Sequence, residues 1–210
     1  MRFLRYLVSN TAIACGLAGG LLLAGCSQPL DEPAYRAYLL DPEHGLTQQT
    51  TAGAATVTCT YRPTELLVAQ ELHSSELPAT TQVLDSLRRA YAGKTYIALD
   101  LSLGGTEIEN QFVNDKTRFT QAVTYLNTGI AADVLLTGPG QQPVAAVAAS
   151  YPRQYGNTGR SSLLLVFDTH TWDIRQGFEL TFRDQYFGLG SPRFVFKADD
   201  VAALPVLKYN

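Results

Sequence analysis

Phe178-Glu179-Leu180-Thr181-Phe182-Arg183 alternates large apolar with polar side chains, and that alternation decides the fold. Successive side chains of a β-strand point to opposite faces, so this stretch has one dry face and one wet face. Arg193-Phe194-Val195-Phe196-Lys197 repeats the pattern, with Phe194 and Phe196 on the dry side. Working outward, 143–151 and 162–168 are further short apolar runs. Turn residues separate the runs: Gly156-Asn157-Thr158-Gly159, the Asp168–Asp173 segment, and Gly188-Leu189-Gly190-Ser191-Pro192. Segments 143–151, 162–168, 176–183 and 193–198 therefore read as a C-terminal antiparallel β-meander of about four strands.

The half before it mixes both kinds of structure. Residues 55–62 read as a strand ended by Pro63, and Thr64 can cap a helix through Leu72. Val83, Leu84, Leu87 and Tyr91 fall at helical spacing, which predicts a helix over 81–92 between Thr80 and Gly93. Residues 95–103 read as a strand closed by Gly104-Gly105. Phe119, Ala122, Val123 and Leu126 make the apolar stripe of a helix over 115–127, and 200–204 predicts a last helical turn. The fold class is α+β, with two to three helices packed on one face of the meander.

The N-terminus has a different character. Met1-Arg2-Phe3-Leu4-Arg5 carries two cations and no acid, and an almost uncharged run extends to Gly25. A basic start, an apolar middle and small residues at the end have the form of a secretory signal. Ser9, Asn10, Thr11 and three glycines make the run poor as a membrane-spanning helix. Its end, Leu23-Ala24-Gly25-Cys26, resembles the lipobox of bacterial lipoproteins. The resemblance covers residues 1–26 alone. It implies cleavage between Gly25 and Cys26 and a thioether-linked diacylglyceryl group on Cys26, with an acyl chain such as palmitate often added to the new amine. Two or more acyl chains hold a protein stably on a bilayer. Residues 26–34 then read as the lipidated cysteine and a short tether, whose seven residues from Ser27 to Pro33 reach at most about 25 Å. Asp31-Glu32 reads as tether solvation; it also resembles the acidic export signals of some surface lipoproteins. Ser27, in place of an inner-membrane retention aspartate, favours the outer membrane, on its periplasmic or surface face.

Cleavage after residue 25 leaves 185 of the 210 residues, enough for a single globular domain over 35–210 with a real core. Losing Arg2 and Arg5 takes the net charge from −3 to −5. An acidic chain is a poor nucleic-acid binder, so the lipid must supply the membrane affinity. Cys15 leaves with the signal and Cys26 is consumed by lipid, so only Cys59 remains. Neither an internal disulfide nor a cysteine-based metal site is possible in the mature domain. Val57, Cys59 and Tyr61 share one strand face, where Cys59 behaves as a small hydrophobe.

Four constellations invite a chemical reading. Gly156-Asn157-Thr158-Gly159-Arg160 lacks the spacing and lysine of a phosphate loop and reads as a hairpin turn. Asp168, His170 and Asp173 are metal or acid–base candidates, since an imidazole lies between two carboxylates, but Asp and Thr are also ordinary turn residues. Tyr186 and Phe187 either cover the sheet or face a partner, and with Tyr155 and Trp172 they form a possible binding surface for a sugar or a protein. Glu107 and Glu109 would lie on one side of a strand, suited to a hard cation or, more simply, to solvation.

No cofactor motif and no recognisable nucleophile is present. The sequence favours a membrane-anchored envelope lipoprotein that acts as a non-enzymatic binding or assembly component, partnered by the membrane through Cys26 and by an envelope protein or glycan. The alternatives are a periplasmic or surface hydrolase with an unrecognised site, and a carrier of a hydrophobic ligand.

Overall fold

The computed structural model describes residues 28–209, so the signal segment, Gly25 and Cys26 lie outside the described residues. The fold is α+β, built on two antiparallel sheets whose buried residues join in one core.

The chain begins with helix α1 (Glu32–Leu40), followed by strands β1 (Thr47–Ala52) and β2 (Ala55–Arg62). Helices α2 (Thr64–Ser74) and α3 (Thr81–Tyr91) lead into β3 (Lys94–Leu103) and the short β4 (Thr106–Glu107). Helix α4 (Lys116–Thr124) continues through a wide turn into α5 (Ile130–Asp133). Then come β5 (Val134–Thr137), β6 (Val144–Ala145), β7 (Ala148–Ser150), β8 (Ser161–Asp168), β9 (Phe178–Phe182), β10 (Arg193–Phe196) and helix α6 (Ala198–Ala202). The larger sheet has the order β1-β2-β3-β8-β7, with β4 paired to β3; the smaller runs β10-β9-β5-β6.

The core lies between the sheets. Val57, Cys59 and Tyr61 of β2, Leu99 of β3 and Leu163 of β8 are buried on one side, and Leu136, Leu180, Phe194 and Phe196 on the other. Tyr61 meets Phe178 edge-on, with ring centroids 5.5 Å apart. Gln48 on β1 spans to β10, accepting from the Val195 amide and donating to its carbonyl. Cys59 is fully buried, and burial pushes its thiol well above the usual range. Such a thiol stays protonated and unreactive.

The expected meander is divided between the sheets. β9 and β10 are neighbours as the alternation predicts, whereas β8 lies between β3 and β7 in the other sheet. The run 143–151 breaks at Ala146: the Ala146 amide donates to Val134 in the smaller sheet, and the Val147 amide to Val166 in the larger. One apolar run thus supplies a strand to each layer, a corner that periodicity does not reveal. β5 escapes the pattern because its four residues follow directly on a helical stripe. β1, with no alternation of apolar residues, is an edge strand held by six cross-strand pairs with β2.

The tether expected over 26–34 is corrected at its end. Asp31 caps α1 by accepting the Ala34 amide, Glu32 pairs with Arg36 one turn on, and Tyr35 and Leu39 are buried at helical spacing. The acidic pair starts a helix rather than solvating a linker. Leu30 is already part of the fold: its amide donates to Val206 and its carbonyl accepts from Lys208. Tyr209 then donates to the Glu65 carboxylate, which also receives Arg88 at 2.9 Å, fastening the C-terminal segment to α2 and α3.

Candidate binding loop

The loop 151–160 joins β7 to β8 and is held from beneath by two buried carboxylates. β4 and the single helical turn after it, Ile108–Phe112, place Glu107 and Glu109 under this loop, and both side chains are buried. The solvated strand face expected for them is therefore wrong. A helical turn begins at Ile108, so the two residues do not continue as a strand, and the loop closes over them.

Glu109 accepts hydrogen bonds from the Tyr151 and Ser161 hydroxyls, and the Ser161 oxygen in turn accepts the Ile108 amide at 2.9 Å. The Arg153 Nε lies 3.8 Å from the same carboxylate. Burial pushes the Tyr151 phenol far above its usual value, and the Glu109 carboxylate beside it adds to the shift. Glu107 accepts the Gly156 amide at 3.0 Å. A buried carboxylate is costly unless its oxygens are satisfied, and hydrogen bonds to a charged acceptor are roughly twice as strong as neutral ones. Glu109 holds the two ends of the loop, and Glu107 holds its tip through one oxygen. Ser102 adds a bond to the Gly159 carbonyl at 2.8 Å, and Arg160 lies 3.4 Å from Asp100. At Gly159 a Cβ would stand 2.6 Å from the Gly105 oxygen, so the two turns touch there in a way that only glycine allows.

What the support presents is Tyr155. Its side chain is 75% exposed and its backbone is left-handed, with φ 52°. A side chain other than glycine, asparagine or aspartate in that region is strained by roughly 1–2 kcal/mol. The Arg153 guanidinium lies between two rings, 4.8 Å from the centroid of Tyr155 and 4.9 Å from that of Phe119 on α4. The loop tip is thus an aromatic ring backed by a cation, on backbone pinned by buried carboxyl groups. Ser161 is fully buried beside its carboxylate, so no substrate reaches its hydroxyl.

The other sequence candidates fall into separate places. Tyr186 and Phe187 join Phe112 and Tyr125 in an aromatic cluster, with Tyr186 stacked on Tyr125 at 5.5 Å and edge-on to Phe112 at 5.6 Å. Asp184 shapes that turn by accepting the amides of Tyr186, Phe187 and Leu189. Phe187 is buried and the Tyr186 hydroxyl donates to the Arg118 carbonyl of α4. Tyr155 and Tyr186 therefore flank α4 through Phe119 and Arg118. Trp172 does not join them. It packs on Gly138, beyond the Thr137 end of β5, while Tyr186 follows Phe182 at the Val134 end of the β5–β9 pair.

The three metal candidates do not converge. His170 Nδ1 meets Asp168 at 2.5 Å on the surface, which holds the Asp168 carboxyl below its ordinary value. Asp173 is paired with Arg175 at 2.8 Å. Among the described residues no three His, Cys, Asp or Glu side chains gather as a metal site. His170 and Asp168 edge an open groove of about 390 Å³ with a single carboxylate on the imidazole. A second groove, of about 540 Å³, lies beside α2 and is lined by Glu32, His73, Glu76 and Lys208. Its walls mix these groups with Leu72, Leu77 and Tyr209.

The sequence singles out Glu107 and Glu109 but misreads their setting, because two acids spaced i, i+2 look the same on a wet strand as beneath a loop. The readable signal was the pair of turn sequences around them, Gly104-Gly105 and Gly156–Gly159, which meet in space.

The chain is similar to a crystal structure of a protein of unknown function from Burkholderia pseudomallei K96243, at 14% sequence identity and a TM-score of 0.36, over 84% of this chain and 94% of that one. No protein-family model and no curated protein sequence matches the chain. No helix among the described residues is long and apolar enough to cross a membrane.

Proposed function

We propose that this protein is a lipid-anchored envelope lipoprotein that works as a binding or assembly component, with the 151–160 loop as its contact surface. Tyr155 carries the reading: a large exposed ring held in a strained backbone conformation by buried carboxylates. Strain of this kind persists only where the surroundings over-determine it, and it concentrates at binding and switch sites. Tyrosine is favoured in contact surfaces because it offers large amphipathic area at little entropic cost. The Leu23-Ala24-Gly25-Cys26 sequence supports the anchor and export to the envelope, with the outer membrane as the destination. The partner is an envelope protein or glycan that stacks on the ring. Hydrolysis has no comparable support, since the Ser161 hydroxyl is sealed and His170 has one carboxylate partner.

The test is site-specific photocrosslinking from residue 155 in cells, with residue 142 as an exposed control. A discrete adduct from 155, absent from 142 and reduced by Glu107→Ala, is the expected result; no adduct from 155 to protein or glycan overturns the contact surface. The anchor is tested separately by metabolic labelling with a fatty-acid analogue. Label should enter the wild-type chain and be lost in Cys26→Ala, and label persisting in that variant overturns it.

A further inference from the structure

We propose that the domain stands on the bilayer by the end that carries Leu30 and Val206, with the Tyr155 loop at the far end, pointing away from the membrane. The orientation rests on the lipid anchor at Cys26 proposed above and adds to it which face meets lipid.

The first support is the length of free chain. Leu30 is hydrogen-bonded on both sides, to the Val206 carbonyl at 2.9 Å and from the Lys208 amide at 2.7 Å. From Cys26 to Leu30 is four residues, which extend to at most about 14 Å. A chain tied at Cys26 by acyl groups therefore brings the Leu30–Leu207 bridge close to the headgroups. It leaves the domain little freedom to roll over.

The chemistry of that end is the second support. Val206 is 61% exposed, although its carbonyl is committed to Leu30. Leu77 is also exposed, on the rim of the groove that holds Lys208 and Tyr209. Apolar side chains bordered by a lysine suit an interface of acyl chains and headgroups. Lys208 stands between Glu32 and Glu76 there, so the groove is mixed in sign rather than uniformly acidic.

Topology sets the direction of the far end. Tyr209 binds Glu65, three residues after Arg62 at the end of β2. The register pairs Arg62 with Tyr96, and Tyr96 with Val166. At the opposite end of the same strands Ala55 pairs with Leu103, and Leu101 with Ser161, where the 151–160 loop ends. Eight residues of β2 separate these ends by about 23 Å. The loop is therefore carried outward along the strands, into the space where a partner approaches.

The test uses the full acylated protein in phosphatidylethanolamine and phosphatidylglycerol vesicles containing lipids with nitroxide-labelled headgroups. Single-cysteine probes are placed by Val206→Cys and Asn157→Cys and labelled with a fluorophore; the buried Cys59 stays unlabelled. Loss of fluorescence at 206 with none at 157 is the expected result. Quenching at 157, or at neither position, overturns the orientation while leaving the anchor intact. A mass for the N-terminal peptide without acyl groups would instead overturn the anchor, and the orientation with it. A photocrosslink from residue 206 to an envelope protein, without quenching, assigns that face to a protein partner and also overturns it.

Discussion

The Gly156 amide donates to the Glu107 carboxylate at 3.0 Å, so the tip of a surface loop is fixed by a side chain that solvent does not touch. Tyr151 and Ser161 do the same for the loop's two ends through Glu109. A loop of ten residues with such support is a platform rather than a loose connection. Loops are ordinarily the mobile, low-stability parts of a fold.

Glu107→Ala should free the Gly156 amide and loosen the platform. Hydrogen exchange across 153–159 is expected to speed up markedly, with a loss of about 1–3 kcal/mol in unfolding free energy. Unchanged exchange in that segment would show that the carboxylate does not hold the loop.

Tyr155→Gly separates stability from binding. Glycine adopts a φ of 52° without strain, which recovers roughly 1–2 kcal/mol, while its extra freedom in the unfolded chain costs about 0.5–1. The variant should be as stable as wild type or up to about 1.5 kcal/mol more so in urea denaturation, yet lose its partner. Tyr155→Val, β-branched and forced into the same region, should be less stable than either. A glycine variant that is clearly destabilised would mean that the ring contributes packing beyond its contact with Arg153.

Gly138 lies under the single tryptophan of the chain, and a Cβ there would stand 2.3 Å from the Trp172 ring. Gly138→Ala is expected to displace the indole, shifting its emission to longer wavelength and costing about 1–3 kcal/mol. An unaltered emission spectrum would place Trp172 elsewhere.

The Glu65–Arg88–Tyr209 cluster gives the protein an acid-sensitive clasp. Burial pushes the Glu65 carboxyl up, but the Arg88 and Tyr209 hydrogen bonds outweigh it and hold the carboxyl below its ordinary value. Because the folded value is the lower one, the stabilisation is fully present above the ordinary glutamate pKa of about 4.3 and is lost as pH falls through the folded value. Glu65→Gln should therefore lower Tm near neutrality and converge with wild type in strong acid. A Tm difference that stays constant from pH 7 to pH 2 would remove Glu65 from the acid response.

Particular residues show where the sequence was legible. Strand β2 falls at 55–62 as its alternation predicts, because Val57, Cys59 and Tyr61 have a layer to face. Helix α3 starts after Thr80, whose hydroxyl accepts the Val83 amide, and ends before Gly93, which takes a positive φ of 72°. Caps and alternation are local, so the sequence carries them whole. The run 143–151 shows the limit: its apolar residues are read correctly as strand, but nothing local says that two sheets share them.

By itself the sequence determined the α+β class, most helix and strand positions, the strand face of Cys59, and the lipobox-like segment ending at Cys26. Those features depend on neighbours a few residues apart. Tertiary structure alone decided that Leu30 joins the C-terminal segment, and that Trp172 and Tyr186 lie at opposite ends of the smaller sheet. It alone decided, too, that Glu107 and Glu109 are buried beneath Tyr155. A carboxylate's role depends on which donors reach it. Tyr151, Gly156 and Ser161 reach these two only because β7, β8 and the turn after β4 converge from segments some fifty residues apart.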